Sequence, residues 1–187
     1  MSNRPRDPWA DVQTINGLPA DEVISTLQKS VRRGMLENAL LTAHEMTATS
    51  PELEDYLWSR LVVIAVEDVG LGQLQMPMLI ETLYQQHLRY PYGIHDRFLF
   101  AAHAIRLLCT AMKDRGSDEM TNWAKRTSKA GILPEIPEFA IDMHTRRGQA
   151  MGRDERHFLT EAARVENEIP NRDKTFLNRL LEMRAPD

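Results

Sequence analysis

The chain is poor in cysteine, in aromatic residues and in positive charge. A single cysteine, Cys109, stands among 187 residues. It excludes an intramolecular disulfide and a cysteine-rich zinc site, and it leads us to expect a reducing, cytoplasmic setting. Aromatic residues make up only 6%, while there are 10 methionines, so the core is expected to be aliphatic and methionine-based. Lys and Arg number 23 against 27 Asp and Glu, a formal charge of −4. That balance excludes a global basic field for nucleic acid and leaves room for a local cationic patch. Long apolar runs are missing too. The most apolar stretch, 57–66, contains Arg60 and leads straight into Glu67 and Asp68, so no membrane span and no membrane partner are expected. The first residues are polar, with Pro5, Pro8 and Pro19, unlike a signal peptide.

Common catalytic motifs are absent as well. There is no G-x-x-x-x-G-K-[ST] phosphate loop, no G-x-G-x-x-G, no G-x-S-x-G and no H-E-x-x-H. Cys109 falls on an apolar face with Ile105, Leu108 and Met112, where a free thiol is a core residue rather than a nucleophile. No catalytic residue and no cofactor are expected, and the chain reads as a binding module more than an enzyme.

What is present is helical punctuation. Val23, Ile24, Leu27 and Val31 share one helical face, which ends in Arg32, Arg33 and Gly34. Leu36, Ala39, Leu40, Ala43 and Met46 follow with the same period. Ser50-Pro51-Glu52 combines an N-cap serine, a proline at the first helical position and an acid in the first turn. The helix it opens carries Leu53, Leu57, Leu61 and Ile64 and runs to Gly70. Further starts are read at Met76-Pro77, Asp96, Ser117-Asp118, Asp154 (through Val165) and Asp173. The β-branched run 62–66 lies inside a capped helical pattern and stays helical. Sustained period-2 alternation is missing. The expected fold is all-α, a compact bundle of about eight helices.

Two charged features stand out. Glu67 and Asp68 end a helix, where acids oppose the dipole, so cations such as Lys29, Arg32 or Arg33 are expected to compensate them. Residues 143–158 hold the densest cationic cluster: His144, Arg146, Arg147, Arg153, Arg156 and His157, with Gly148 and Gly152 between them. Residues 142–187 carry 9 basic and 9 acidic residues, so the net negative charge lies in residues 1–141. The cluster has three readings. It is a turn locked internally to acids such as Glu67, Asp68 or Glu161. It is a site for nucleic-acid phosphate or another anion. Or it is a small metal-dependent or histidine-based enzyme site, with Glu161 one helical turn from His157 and His144 brought in by the turn.

Residues 20–126 also carry a family likeness. The blocks are Ile24-Ser25-Thr26-Leu27-Gln28-Lys29-Ser30-Val31-Arg32, then Ala39-Leu40 with Met46, then Arg60 and Ala65-Val66-Glu67-Asp68-Val69-Gly70-Leu71-Gly72. A fainter one runs from Ala104 to Asp118. They resemble the helical domain that follows the ATPase core in the replication-associated recombination protein A (Werner helicase-interacting protein) family of clamp-loader-like AAA+ ATPases. The ATPase core has no counterpart here, so ATP hydrolysis is not carried over, and the family's usual C-terminal segment is replaced. The resemblance implies a helical oligomerisation domain, a tetramer in that family. It implies a role in DNA replication, recombination or repair, with DNA or a separate replication ATPase as partner. Lys29, Ser30, Arg32, Arg60, Glu67, Asp68 and Gly70 are then structural motif residues. The expected organisation is an arm over 1–19 that Trp9 docks onto the body, an oligomerisation-type domain over 20–133, and a basic turn with C-terminal helices over 134–187, packed on the same domain.

Overall fold

The computed structural model describes residues 7–183. The ends of the expected arm (residues 1–6, with Pro5) and of the C-terminal segment (184–187) lie outside the described residues. The fold is all-α, and no β-strand occurs among the described residues. The chain divides into two units, Met1–Lys129 and Ala130–Asp187.

The first unit contains α1 (Ala20–Arg32), α2 (Leu36–Thr49), α3 (Pro51–Ile64), α4 (Met76–His87), α5 (His95–Thr110) and α6 (Gly116–Lys129). Helix α1 buries Ala20, Val23, Leu27 and Val31, the face the sequence periodicity marks. It packs on α2, α3 and α5, and α4 packs on α5. The core is aliphatic with Met46 and Met76, and Trp58 is its largest buried side chain. Each such aliphatic side chain taken out of water contributes about 1.5–3 kcal/mol. Ser50 caps α3 by accepting the Leu53 N–H at 3.2 Å, with Pro51 behind it. Cys109 is buried and free, and burial pushes its thiol pKa up.

The described part of the arm is ordered on this unit. Trp9 stacks obliquely on Tyr56 with ring centroids 5.3 Å apart. Asn16 donates from Nδ2 to Glu45 at 2.7 Å, and the Ile15 N–H donates to Thr49 Oγ1 at 3.0 Å.

Helix α3 does not run unbroken to Gly70. From Ala65 to Val69 it widens into a π-helical turn, and Gly70–Gly72 then tightens into a 3₁₀ turn. Widened turns of this kind concentrate at special sites, and this one carries Glu67 and Asp68.

The second unit contains a 3₁₀ turn (Glu138–Ala140), α7 (Arg146–Ala150), α8 (Glu155–His157), a π-helical turn (Phe158–Ala162) and α9 (Thr175–Glu182). The sequence pattern predicts one helix from Asp154 through Val165. Asp154 does cap it, accepting the His157 N–H at 2.9 Å, but the helix stops at Ala162. Val165 is exposed, so no apolar surface holds the next turn. Helix α9 begins two residues after Asp173, whose side chain accepts the Thr175 N–H at 2.8 Å. Ile141 and Gly148 are the only buried residues among the described part of this unit.

Candidate functional site

Three charged constellations arise from these elements. The first joins α1, the π-helical turn and the start of α6. Asp68 is fully buried and accepts at Oδ1 from Arg32 Nε at 2.6 Å and from Arg115 Nη1 at 2.5 Å. Glu67 Oε1 accepts from the same two arginines, at 3.0 and 3.3 Å. Arg115 also reaches Asp118 at 2.5 Å. Gln28 donates to Asp68 Oδ2 at 3.4 Å and itself receives Arg60. Burial works against the Arg115 cation, but its bonds to Asp68 and Glu67 outweigh that, and its pKa lies above the ordinary guanidinium value.

Five motif residues therefore meet in one network: Arg32, Arg60, Glu67, Asp68 and, at its edge, Gly70. Of the three cations expected to compensate the acids, Arg32 does so. Lys29 turns to Ser25 on its own helix, and Arg33 is exposed, with no ion pair among the described residues. Ser30 is buried and accepts from Asn38 Nδ2 at 2.8 Å, tying α1 to α2. Arg115 is the member that sequence reasoning missed. Its only signal is its place just before a helix of acidic first turn, and nothing local relates it to Glu67.

Backbone closes the same junction. The Asp114 N–H donates to Asp68 O at 3.0 Å, and Asp114 Oδ2 accepts from Leu71 N at 3.0 Å. The hydrogen bonds from the Leu71 and Gly116 amides hold the Asp114 carboxyl below its usual range. The approach is close enough to require glycine. A Cβ on Gly72 would lie 2.3 Å from Met112 O, and one on Gly70, at φ +49°, would lie 2.6 Å from Asp114 O.

The second constellation is the basic turn. Thr145 caps α7 by accepting the Gly148 N–H at 2.9 Å. Arg153 is folded inward and gives its guanidinium to the carbonyls of Glu138 and Ile141 and to the Glu138 carboxylate. Arg147 is exposed and only loosely paired with Glu138, at 3.9 Å. Arg156 donates to Leu181 O at 3.3 Å. Arg146 is exposed, and its side chain makes no hydrogen bond or ion pair among the described residues. His144 faces Asp142 Oδ2 at 3.1 Å and sets its edge on Phe158, ring centroids 5.0 Å apart. Its hydrogen bond lowers the Asp142 pKa. His157 Nδ1 is buried without a partner among the described residues, and Glu161 pairs with Arg164 at 3.0 Å. The acids that hold the turn are thus Glu138 and Asp142. Among the described residues, no three His, Cys, Asp or Glu side chains are grouped as a metal would need.

The third constellation is buried in the first unit and was not expected from the sequence. Glu54, in the first turn of α3, is almost fully buried. Its Oε2 accepts from Arg97 Nε and Nη2, each at 2.8 Å, and faces His87 Nε2 at 3.6 Å. Arg97 Nη1 donates to the Tyr90 and His87 carbonyls. His87 is fully buried between Trp58 and Tyr84. Its Nδ1 lies 3.3 Å from Arg97 O, which only a donor N–H satisfies, so Nε2 carries the lone pair in the neutral ring. Burial lowers the His87 pKa.

No protein-family model matches the chain, and no curated protein matches it.

Proposed function

We propose that this chain is a non-catalytic helical interaction module that assembles with copies of itself. The carrying observation is the second unit. Among its described residues it buries one apolar side chain, Ile141, while Leu133, Ile136, Phe139, Ile169, Phe176 and Met183 are 62–79% exposed. In α6, Met120 and Trp123 are also exposed. Monomeric proteins rarely leave that much apolar surface in water, and such patches mark association surfaces. The likeness of residues 20–126 to the helical domain of the replication-associated recombination protein A family supports the same reading. It also supports a role in DNA replication, recombination or repair, beside a separate AAA+ ATPase.

Sedimentation equilibrium of the purified chain tests the assembly. The expected result is a stable oligomer, a tetramer by the family likeness; a monomer across the micromolar range overturns the reading. Any DNA contact of the basic turn rests on Arg146 and Arg147, because Arg153 is already committed to backbone carbonyls. Reversing Arg146 and Arg147 to Glu is expected to weaken DNA binding and to flatten its salt dependence. Absence of binding at low salt removes DNA from the proposal and leaves the assembly standing.

A further inference from the structure

Helix α6 has 14 residues and buries none of them. Its start is fastened by Arg115, which bonds to Asp68 and to Asp118. Its remaining turns face water. A helix of this length is marginal by itself and takes its stability from packing an apolar face. Such a face is present: Met120 and Trp123 are 64% and 68% exposed, and Ala124 and Thr127 follow on the same side at helical spacing.

The charges of α6 are sorted by end. Asp118 and Glu119 stand in its first turn, Arg126 and Lys129 in its last. Asp118 is taken by Arg115. Glu119 and Arg126 are exposed, and their side chains make no ion pair among the described residues. They are seven positions apart. At about 100° and about 1.5 Å per residue, they lie on one flank of the apolar stripe, about 10 Å from each other along the axis.

The same helix, reversed, complements this pattern. About a twofold axis across the middle of α6, Met120 of each copy meets Trp123 of the other, and Glu119 of each faces Arg126 of the other. Such a contact is isologous and closes on itself. The two helix dipoles are then opposed. A parallel pair would instead set acid against acid, cation against cation and N-terminus against N-terminus.

We propose that α6 pairs antiparallel with α6 of a second copy, with Met120 and Trp123 as the seam and Glu119 and Arg126 bridging both ends. This inference rests on the self-assembly proposed above and assigns it one interface. A stable interface buries about 1,200 Å² or more, which a single pair of short helices does not reach. The α6 pair is therefore one contact of the assembly, and disturbing it weakens the oligomer.

The test is sedimentation equilibrium of the full chain carrying Glu119→Arg, Arg126→Glu or both. Either single reversal places like charges opposite each other at both ends of the pair and is expected to weaken assembly about tenfold. The double variant restores opposite charges and is expected to assemble as the unmodified chain does. An equimolar mixture of the two single variants is also expected to assemble, because one then carries only cations at these positions and the other only acids. Rescue in the mixture shows that neither single variant has merely misfolded. An unmodified chain that is monomeric removes the assembly reading and this pairing with it. An oligomer that both reversals leave intact overturns the pairing alone and shows that α6 has another occupant. Weakening without rescue in the double variant and the mixture overturns the pairing as well.

Discussion

Arg115 Nη1 and Arg32 Nε converge on one oxygen, Asp68 Oδ1, at 2.5 and 2.6 Å, from positions 47 and 36 residues away along the chain. The buried carboxylate thus fastens the first and sixth helices to the π-helical turn between them. Removing it strands two arginines against each other. Asp68→Ala is expected to destabilise the chain by about 3 kcal/mol, the lower end for breaking a buried ion pair. Glu67 is partly exposed, and Glu67→Ala is expected to cost about 1 kcal/mol or less, as for a solvated pair. Urea denaturation of the two variants measures the difference. Equal losses would show that burial of Asp68 does not govern the junction.

A Cβ at either Gly70 or Gly72 would meet a backbone carbonyl, and the approach at Gly72 is the closer, 2.3 Å against 2.6 Å. Gly72→Ala is expected to lower the thermal midpoint strongly or to prevent folding. Gly17 has a positive φ, but nothing lies within 4 Å of where its Cβ would stand. Gly17→Ala therefore bears only the left-handed strain, about 1 kcal/mol. Comparing the thermal midpoints of the two variants separates steric collision from backbone preference.

His87 makes the stability depend on pH. Burial lowers its pKa from the ordinary 6.5, while its bond to the Arg97 carbonyl and the charge of Glu54 act the other way with less effect. The unfolded chain therefore takes up the proton first as pH falls. The stabilisation is complete above 6.5 and is lost as pH drops through that value towards the folded one. Urea midpoints measured between about pH 7.5 and about pH 5.5 should fall on the acid side. His87→Phe keeps an aromatic ring and removes the titration, so its midpoint should change less over the same interval. A slope as steep as in the unmodified chain would exclude His87 as its source.

Trp9 tests the arm. Its packing on Tyr56 ties the segment before α1 to α3, and Trp9→Ala is expected to cost about 1–2 kcal/mol from lost aromatic burial and ring contact. If stability is unchanged, the arm rests on its bonds to Glu45 and Thr49 instead.

The basic turn separates two kinds of arginine. Arg153→Ala removes the donor to three groups on the 138–141 segment and is expected to loosen that segment in amide hydrogen exchange. Arg146→Ala is expected to leave exchange unchanged. Loss of protection in Arg146→Ala alone would reverse the two roles.

Much of the helical frame was readable from residues that act within a few positions of themselves. Ser50 and Pro51 announce α3 because a cap and a fixed φ are local properties. The α1 stripe is readable because one face of a helix repeats. Arg32 could be anticipated as a partner of Glu67 and Asp68 because acids at a helix end demand a cation. Arg115 could not, since its role depends on how the chain returns after α5. Glu54 was the least legible residue: an acid in a first helical turn is ordinarily solvated, and only the fold places Arg97 and His87 against it. In the basic turn, the density of arginines was plain, but the carbonyls that occupy Arg153 lie 12 and 15 residues earlier and follow no periodic rule.

The π-helical turn at 65–69 also sets a length rule for the chain. An α-helix advances about 100° per residue, so losing or gaining one residue there would swing Asp68 away from both arginines. The same step would carry Gly72 off the Met112 carbonyl. Insertions and deletions should therefore be refused between Ala65 and Gly72, yet accepted around Ile132–Ile136, where every residue is exposed. The junction thus acts as a gauge of chain length, not only of residue type.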